Sequence, residues 1–224
     1  MQVLDNIEVI LDPERVLELL HIHNKSNAIE QAVHELIETV LPIAKPKVAY
    51  KVSYINSKAE DSVVIDGITF TSRLLTDKLD AIERVFPYIA TCGRELDEID
   101  IPAGDFVKPL YLDFIKTMVL SSTLTFFSNH IKKNYALEQI AHMNPGSLKT
   151  WPISEQKPLF TLLENTEELI GVTLSEGFTM IPVNSSSGIY FATETSFESC
   201  QLCPHETCIG RRAPYSRELA AKYQ

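Results

Sequence analysis

Residues 63–70 read Val63-Val64-Ile65-Asp66-Gly67-Ile68-Thr69-Phe70. β-branched and aromatic residues flank Asp-Gly, the dipeptide that readily takes the positive φ angles of a two-residue hairpin turn. The stretch predicts strand, turn, strand, and so an antiparallel sheet. Upstream, residues 46–55 (PKVAYKVSYI) set Val48, Tyr50, Val52 and Tyr54 on alternating positions, the pattern of a half-exposed strand. Downstream, residues 84–91 form a β-branched and aromatic run that ends in Thr91-Cys92-Gly93, and residues 178–182 and 188–193 read as two more strands joined by Asn184-Ser185-Ser186-Ser187.

Helical patterns surround these strands. Pro13 follows Asp12 as a helix start, and residues 29–41 place Ile29, Val33, Leu36, Ile37 and Val40 at a spacing near 3.6. Residues 72–79 read as a short helix, and residues 105–133 as one long buried helix with Pro109 near its start. Ser121, Ser122, Thr123 and Thr125 give that helix small positions for close packing. After Tyr135 the run from His142 to Ser147 reads as a loop, and an amphipathic helix begins at Ser154 and runs to Leu163. Strands and helices do not alternate regularly, and no glycine-rich nucleotide loop is present. The expected fold class is therefore α+β, a mainly antiparallel twisted sheet with flanking helices, in a single domain over residues 1–224 whose residues 194–224 form a cysteine-bearing C-terminal segment.

Charge narrows the partners. Twenty basic against thirty acidic side chains give a net charge of −10 and a pI near 5.1, which opposes attraction to phosphate backbones and argues against nucleic acid. The N-terminus has acids where a signal peptide needs a basic and then apolar run, and the apolar stretch 114–127 is interrupted by Lys116 and several hydroxyl residues. A cytoplasmic protein without a membrane span is expected.

Three of the four cysteines, Cys200, Cys203 and Cys208, fall within nine residues as C-x2-C-x4-C, while Cys92 lies far away in sequence. A reduced intracellular chain with this spacing points to metal binding or redox chemistry rather than a disulfide framework. Three thiolates suit soft ions: an iron–sulfur cluster completed by Cys92 or an external ligand, or Zn²⁺ completed by His205 or Cys92. Arg211 and Arg212 are placed to offset thiolate charge or to dock an acidic partner. Reduced, packed cysteines in an ordinary loop are the plainer alternative. His21, His23, His34 and His130 lack metal-ligand spacing, Asp97, Glu98 and Asp100 read as a solvated acidic run, and Trp151 reads as a packing residue. With no nucleophile–base pair, paired-carboxylate motif or phosphate loop, independent turnover is not expected.

Two blocks carry a family resemblance. Asn144-Pro145-Gly146-Ser147 with Trp151-Pro152 precedes residues 156–163; then come Gly171-Val172-Thr173-Leu174-Ser175-Glu176, Met180-Ile181-Pro182 and Ser187-Gly188-Ile189-Tyr190-Phe191. Their order and gaps resemble the activation (reactivation) domain of cobalamin-dependent methionine synthase and its free-standing relatives, as does Ala90-Thr91-Cys92-Gly93-Arg94-Glu95-Leu96. The resemblance implies a domain that docks onto a corrinoid-binding protein or cobalamin-dependent methyltransferase. There it would present S-adenosylmethionine, so that the partner's cobalamin is reduced and remethylated. It places ligand binding at His142, Asn144, Gly146 and Ser147. In the family this loop reads R-x-x-x-G-Y, so His142 stands at the Arg position and Ser147 at the Tyr position, and the bidentate carboxylate clamp of an arginine is replaced by one imidazole. Because the family's task involves one-electron reduction of cobalt, the resemblance favours an iron–sulfur cluster over zinc at the cysteines.

Overall fold

The computed structural model describes residues 1–20, 26–194, 197–205 and 211–223. Its organising element is one long strand, Arg84–Thr91, buried at seven of its eight positions. The other elements are named in chain order around it: β1 (Gln2–Leu4), α1 (Pro13–Leu19), α2 (Asn27–Ile43), β2 (Lys47–Tyr50), β3 (Ser53–Lys58), β4 (Ser62–Ile65), β5 (Ile68–Thr71), α3 (Arg73–Lys78), the long strand as β6, α4 (Lys108–Asn134), β7 (Ile140–Met143), α5 (Gln156–Leu162), α6 (Thr166–Ile170), β8 (Thr173–Leu174), β9 (Met180–Ile181), β10 (Ser185–Ala192) and α7 (Arg217–Ala221).

On one edge of β6 lie β2 and β3 in succession, with β1 outside β2 and the β4–β5 hairpin outside β3. On the other edge β10 pairs with β6 over seven residues, and β7 pairs with β10. Every pairing is antiparallel, and β8 and β9 form a separate two-stranded ribbon. The hairpin turns where expected: Asp66 and Gly67 both have positive φ, 46° and 83°.

Both faces of the sheet are covered, which the alternation of side chains makes plain. Ala49, Val85, Ile89, Ile189 and Phe191 point to one core, shared with α3, α5, α6 and the C-terminal segment through Phe197, Leu202 and Ala220. Val48, Tyr50, Phe86, Tyr88, Ala90 and Tyr190 point to the other, closed by Phe127 and Ile131 of α4. Residues 46–55 thus form two strands: β2 is buried because helices lie on each side, whereas the start of β3 is half-exposed as its alternation predicts, with Ser53 buried and Tyr54 exposed. A third core joins α1, α2 and the first half of α4. α4 has the length and composition of a bilayer span. Its buried Leu112, Ile115, Val119, Phe127 and Ile131 recur at helical spacing and pack into the protein, where each contributes roughly 1.5–3 kcal/mol by leaving water.

Two segments read as loops are strands. His142 and Met143 belong to β7, with Ala141 and Met143 turned into the core and His142 to the opposite face. Ser185, Ser186 and Ser187 open β10, opposite Thr91, Ala90 and Ile89. Pairing to β6 supplies their backbone partners and overrides the turn preference of a serine run.

Candidate functional site

Two clefts flank the segment 142–147. The first, of about 250 Å³, lies between α4 and the β7–β10 edge and is lined by Ser121, Thr125, Ser128 and Lys132 of α4, by His142 and Tyr190, and by Glu198 and Arg212 of the C-terminal segment. His142 and Tyr190 face each other across the β7–β10 ladder, and their rings stack with centroids 4.9 Å apart. Burial, with the Arg212 charge second, pushes the His142 imidazole down to about 4, so it is neutral at pH 7. Burial also raises the Tyr190 phenol far above its ordinary range.

The second cleft, of about 270 Å³, is lined by Asn144, Pro145, Ser147, Gln156, Met180 and Ser185–Ser187. Asn144 is its anchor: Nδ2 donates to the Tyr88 hydroxyl (2.9 Å) and to the Ser187 carbonyl (2.6 Å). Pro145 and Gly146 occupy the middle of a tight turn closed by the Ser147 N–H on the Asn144 carbonyl at 3.2 Å, with Gly146 at φ 83° as a type II turn requires. Gly146 is therefore fixed by the turn and by Ile153, whose Cδ1 would stand 2.5 Å from an added Cβ. Gly188 lets β7 approach β10, since a Cβ there would meet the Met143 carbonyl at 2.4 Å. Two buried acceptors lining this cleft, Gln156 Oε1 and Ser187 Oγ, have no hydrogen-bond partner among the described residues.

The structure places His142 in the first cleft and Asn144 and Ser147 in the second, whereas Gly146 lines, with Ser147, a separate cleft of about 550 Å³ against Leu202, Tyr215 and Tyr223 of the C-terminal segment. It adds Tyr190, Lys132, Glu198, Arg212 and Gln156, which no local motif marks as ligand residues. Gln156 and Tyr190 lie in the two blocks that carry the resemblance and Arg212 in the Arg pair beside the cysteines, while Lys132 and Glu198 have no sequence signal.

The described part of the cysteine segment is held by Arg211. The Arg211 guanidinium donates to the carbonyls of Cys200 and Ala213 through Nη1 (both 2.9 Å), and to those of Cys203 (2.8 Å) and His205 (2.7 Å) through Nη2. Arg211 is thereby committed to the backbone of the loop and not to the thiols. Cys200 and Cys203 are half-buried thiols one turn apart, and Cys200 Sγ accepts the Arg212 backbone N–H at 3.4 Å. Cys208 lies outside the described residues, as do His21 and His23.

Cys92 is not brought to the pair. It follows Thr91, which pairs with Ser185, whereas the cysteine segment lies beside His142, which pairs with Tyr190. Five residues of strand between those positions span roughly 17 Å. Cys92 is fully buried in the helical core beyond β6, where burial raises its thiol to about 12. Among the described residues no three His, Cys, Asp or Glu side chains converge as a metal site.

Other residues singled out from sequence have packing roles. His130 Nε2 lies 2.9 Å from the Tyr50 hydroxyl, Asp97 pairs with the nearly buried Lys116 at 2.7 Å, and Trp151 is fully buried. The acidic run 97–100 is thus partly an ion-pair partner and not only a solvated face.

Neither a protein-family model nor a curated protein matches the sequence. Among solved structures, the chain is similar to the MetH reactivation domain crystallised with AdoHcy, with a TM-score of 0.63 and 15% identity over 88% of this chain and 80% of that one. The α+β fold with its antiparallel sheet is therefore similar to the fold of that domain.

Proposed function

We propose that this protein is an accessory of corrinoid activation: it holds an S-adenosyl ligand at the β7–β10 edge and docks onto a cobalamin-dependent methyltransferase or other corrinoid-binding protein. The observation that carries the reading is the polar cleft around Asn144, lined by Gln156 and Ser187, whose buried Oε1 and Oγ have no hydrogen-bond partner among the described residues. A buried acceptor left unpaired costs about 1–3 kcal/mol. An adenosine brings an amino group and ribose hydroxyls able to donate to such atoms. Similarity in fold to a domain crystallised with AdoHcy supports the same class of ligand. The cobalt chemistry would belong to the partner.

In the same reading the C-terminal cysteines, Cys200 and Cys203 with Cys208, bind an iron–sulfur cluster that relays an electron to the partner, with an external fourth ligand in place of the distant Cys92. One observation favours a second role for this segment. Arg211 alone gathers four carbonyls of the loop, so Zn²⁺ held by the cysteines and His205 would add order to an already organised turn and take no part in redox chemistry.

The test has two arms. Isothermal titration with S-adenosylhomocysteine is expected to give saturable binding that a Gln156→Leu substitution weakens. Immobilised protein is expected to retain a cobalamin-loaded methyltransferase, less so when Asn144 and Ser147 are replaced. Absence of both interactions refutes the reading.

A further inference from the structure

The first cleft carries two cations, Arg212 and Lys132, whose side chains have no ion-pair partner among the described residues. Arg212 and Lys132 line it from opposite sides, one from the C-terminal segment and one from α4, and neither side chain has a hydrogen bond or ion pair among the described residues. In a chain of net charge −10 this is an unexpected place for paired positive charge. The Arg212 charge reaches both aromatic walls, acting on His142 and on Tyr190. Glu198 is the one carboxylate in the lining among the described residues. Its residue caps the short helical turn Ser199–Gln201, with Gln201 Oε1 accepting the Glu198 N–H at 3.1 Å. The remaining walls are the hydroxyl face of α4 and the stacked rings of His142 and Tyr190.

We propose that this cleft binds an α-amino-acid headgroup, with Arg212 and Lys132 taking the carboxylate and Glu198 the ammonium. The assignment rests on the reading of an S-adenosyl ligand and deepens it: the nucleoside occupies the Asn144 cleft and the amino-acid end the Arg212 cleft. A guanidinium binds a carboxylate through two parallel hydrogen bonds, which an imidazole cannot do. His142, neutral and stacked, serves as a wall, and the cation comes instead from the C-terminal segment. Arg212 follows Arg211, which ties the segment's carbonyls, and its own N–H is bonded to Cys200 Sγ. The cysteine loop thus positions the residue that reads the ligand.

Titration of the full chain with S-adenosylhomocysteine and with 5′-methylthioadenosine, which shares the nucleoside and lacks the amino-acid end, separates the possibilities. Arg212→Ala and Lys132→Ala are each expected to weaken S-adenosylhomocysteine about tenfold or more and to leave methylthioadenosine unchanged, as loss of a charge-assisted hydrogen bond requires. Arg212 makes no side-chain hydrogen bond among the described residues, so its truncation is expected to leave the near-ultraviolet circular dichroism intact. Equal weakening of both ligands, or no change in either, overturns the headgroup site while the S-adenosyl reading stands. A wild-type chain that binds neither ligand overturns both.

Discussion

The imidazole of His142 lies stacked on the ring of Tyr190, centroids 4.9 Å apart and planes 29° from parallel. The pair closes one side of a polar cleft and leaves the imidazole partly buried. Burial therefore sets its proton affinity, and the Arg212 charge lowers it further.

That lowering makes His142 a source of acid sensitivity. In the unfolded chain its imidazole takes a proton near the ordinary 6.5, and in the folded protein only near 4. Above pH 6.5 both states are neutral and the residue imposes no penalty. As pH falls from about 6.5 to about 4 the unfolded state gains the proton first, and stability drops by at most about 3 kcal/mol before levelling off. Urea denaturation of wild type and His142→Gln at pH 7.5, 5.5 and 4.5 checks this: the difference between the two curves should shift in favour of the variant on acidification. A difference independent of pH would mean that the ring is solvated.

The β7–β10 pairing depends on Gly188. A methyl group there would sit 2.4 Å from the Met143 carbonyl and 2.7 Å from Asn144 Nδ2, both fixed by the sheet and its hydrogen bonds. Gly188→Ala is expected to destabilise the protein by about 1–3 kcal/mol or more through overpacking, and to loosen Asn144. Gly177→Ala is the control, since an added Cβ there would meet only Ser175 Oγ at 4.0 Å. Thermal melts of the two variants should differ by several degrees in the stated order.

The sequence patterns reached the elements whose periodicity is long or whose turn chemistry is strict. The Asp66-Gly67 hairpin, the run Arg84–Thr91 and the 27-residue helix α4 were all legible on those grounds. β7 was not, because four residues give a single alternation and their partner strand lies about fifty residues away. The serines of β10 were hidden for a related reason, since their strand state is imposed by β6. At the site, the 142–147 segment stood out through its turn residues and its resemblance. Lys132, Glu198 and Arg212 converge only once the C-terminal segment folds back over β7, a contact with no local signature.

Arg211 shows how that segment is held, and it predicts a specific failure. Its two Nη atoms satisfy four carbonyls that no lysine ammonium, with three hydrogens and no planar fork, can satisfy together. Arg211→Lys should free residues 199–205 and 211–213 while leaving the sheet intact. Hydrogen exchange would record faster exchange at Leu202 and Cys203, whose amides bond within this turn, with unchanged protection in β6 and β10. Uniformly faster exchange would instead make the segment part of the global folding unit, consistent with the burial of Phe197 and Ala220 in the main core.

The cysteine centre is decided by its metal. Cys200 and Cys203 project from one short turn, and each thiolate given to a metal adds a bond that the Arg211 clamp does not make. Protein purified without oxygen is expected to show broad visible absorption with iron and sulfide, and Cys203→Ser is expected to lose all three, because removal of one thiolate from a three-cysteine site leaves too few ligands for a cluster. Stoichiometric zinc without colour would assign the cysteines a structural role. The Arg212 cleft would then still depend on the loop, since Cys200 Sγ accepts the Arg212 N–H whichever metal it binds or none. Measuring S-adenosylhomocysteine affinity on the same Cys203→Ser protein links the two: a centre that only carries electrons leaves affinity unchanged, whereas one that also orders the loop weakens binding by the amount that Arg212 is displaced.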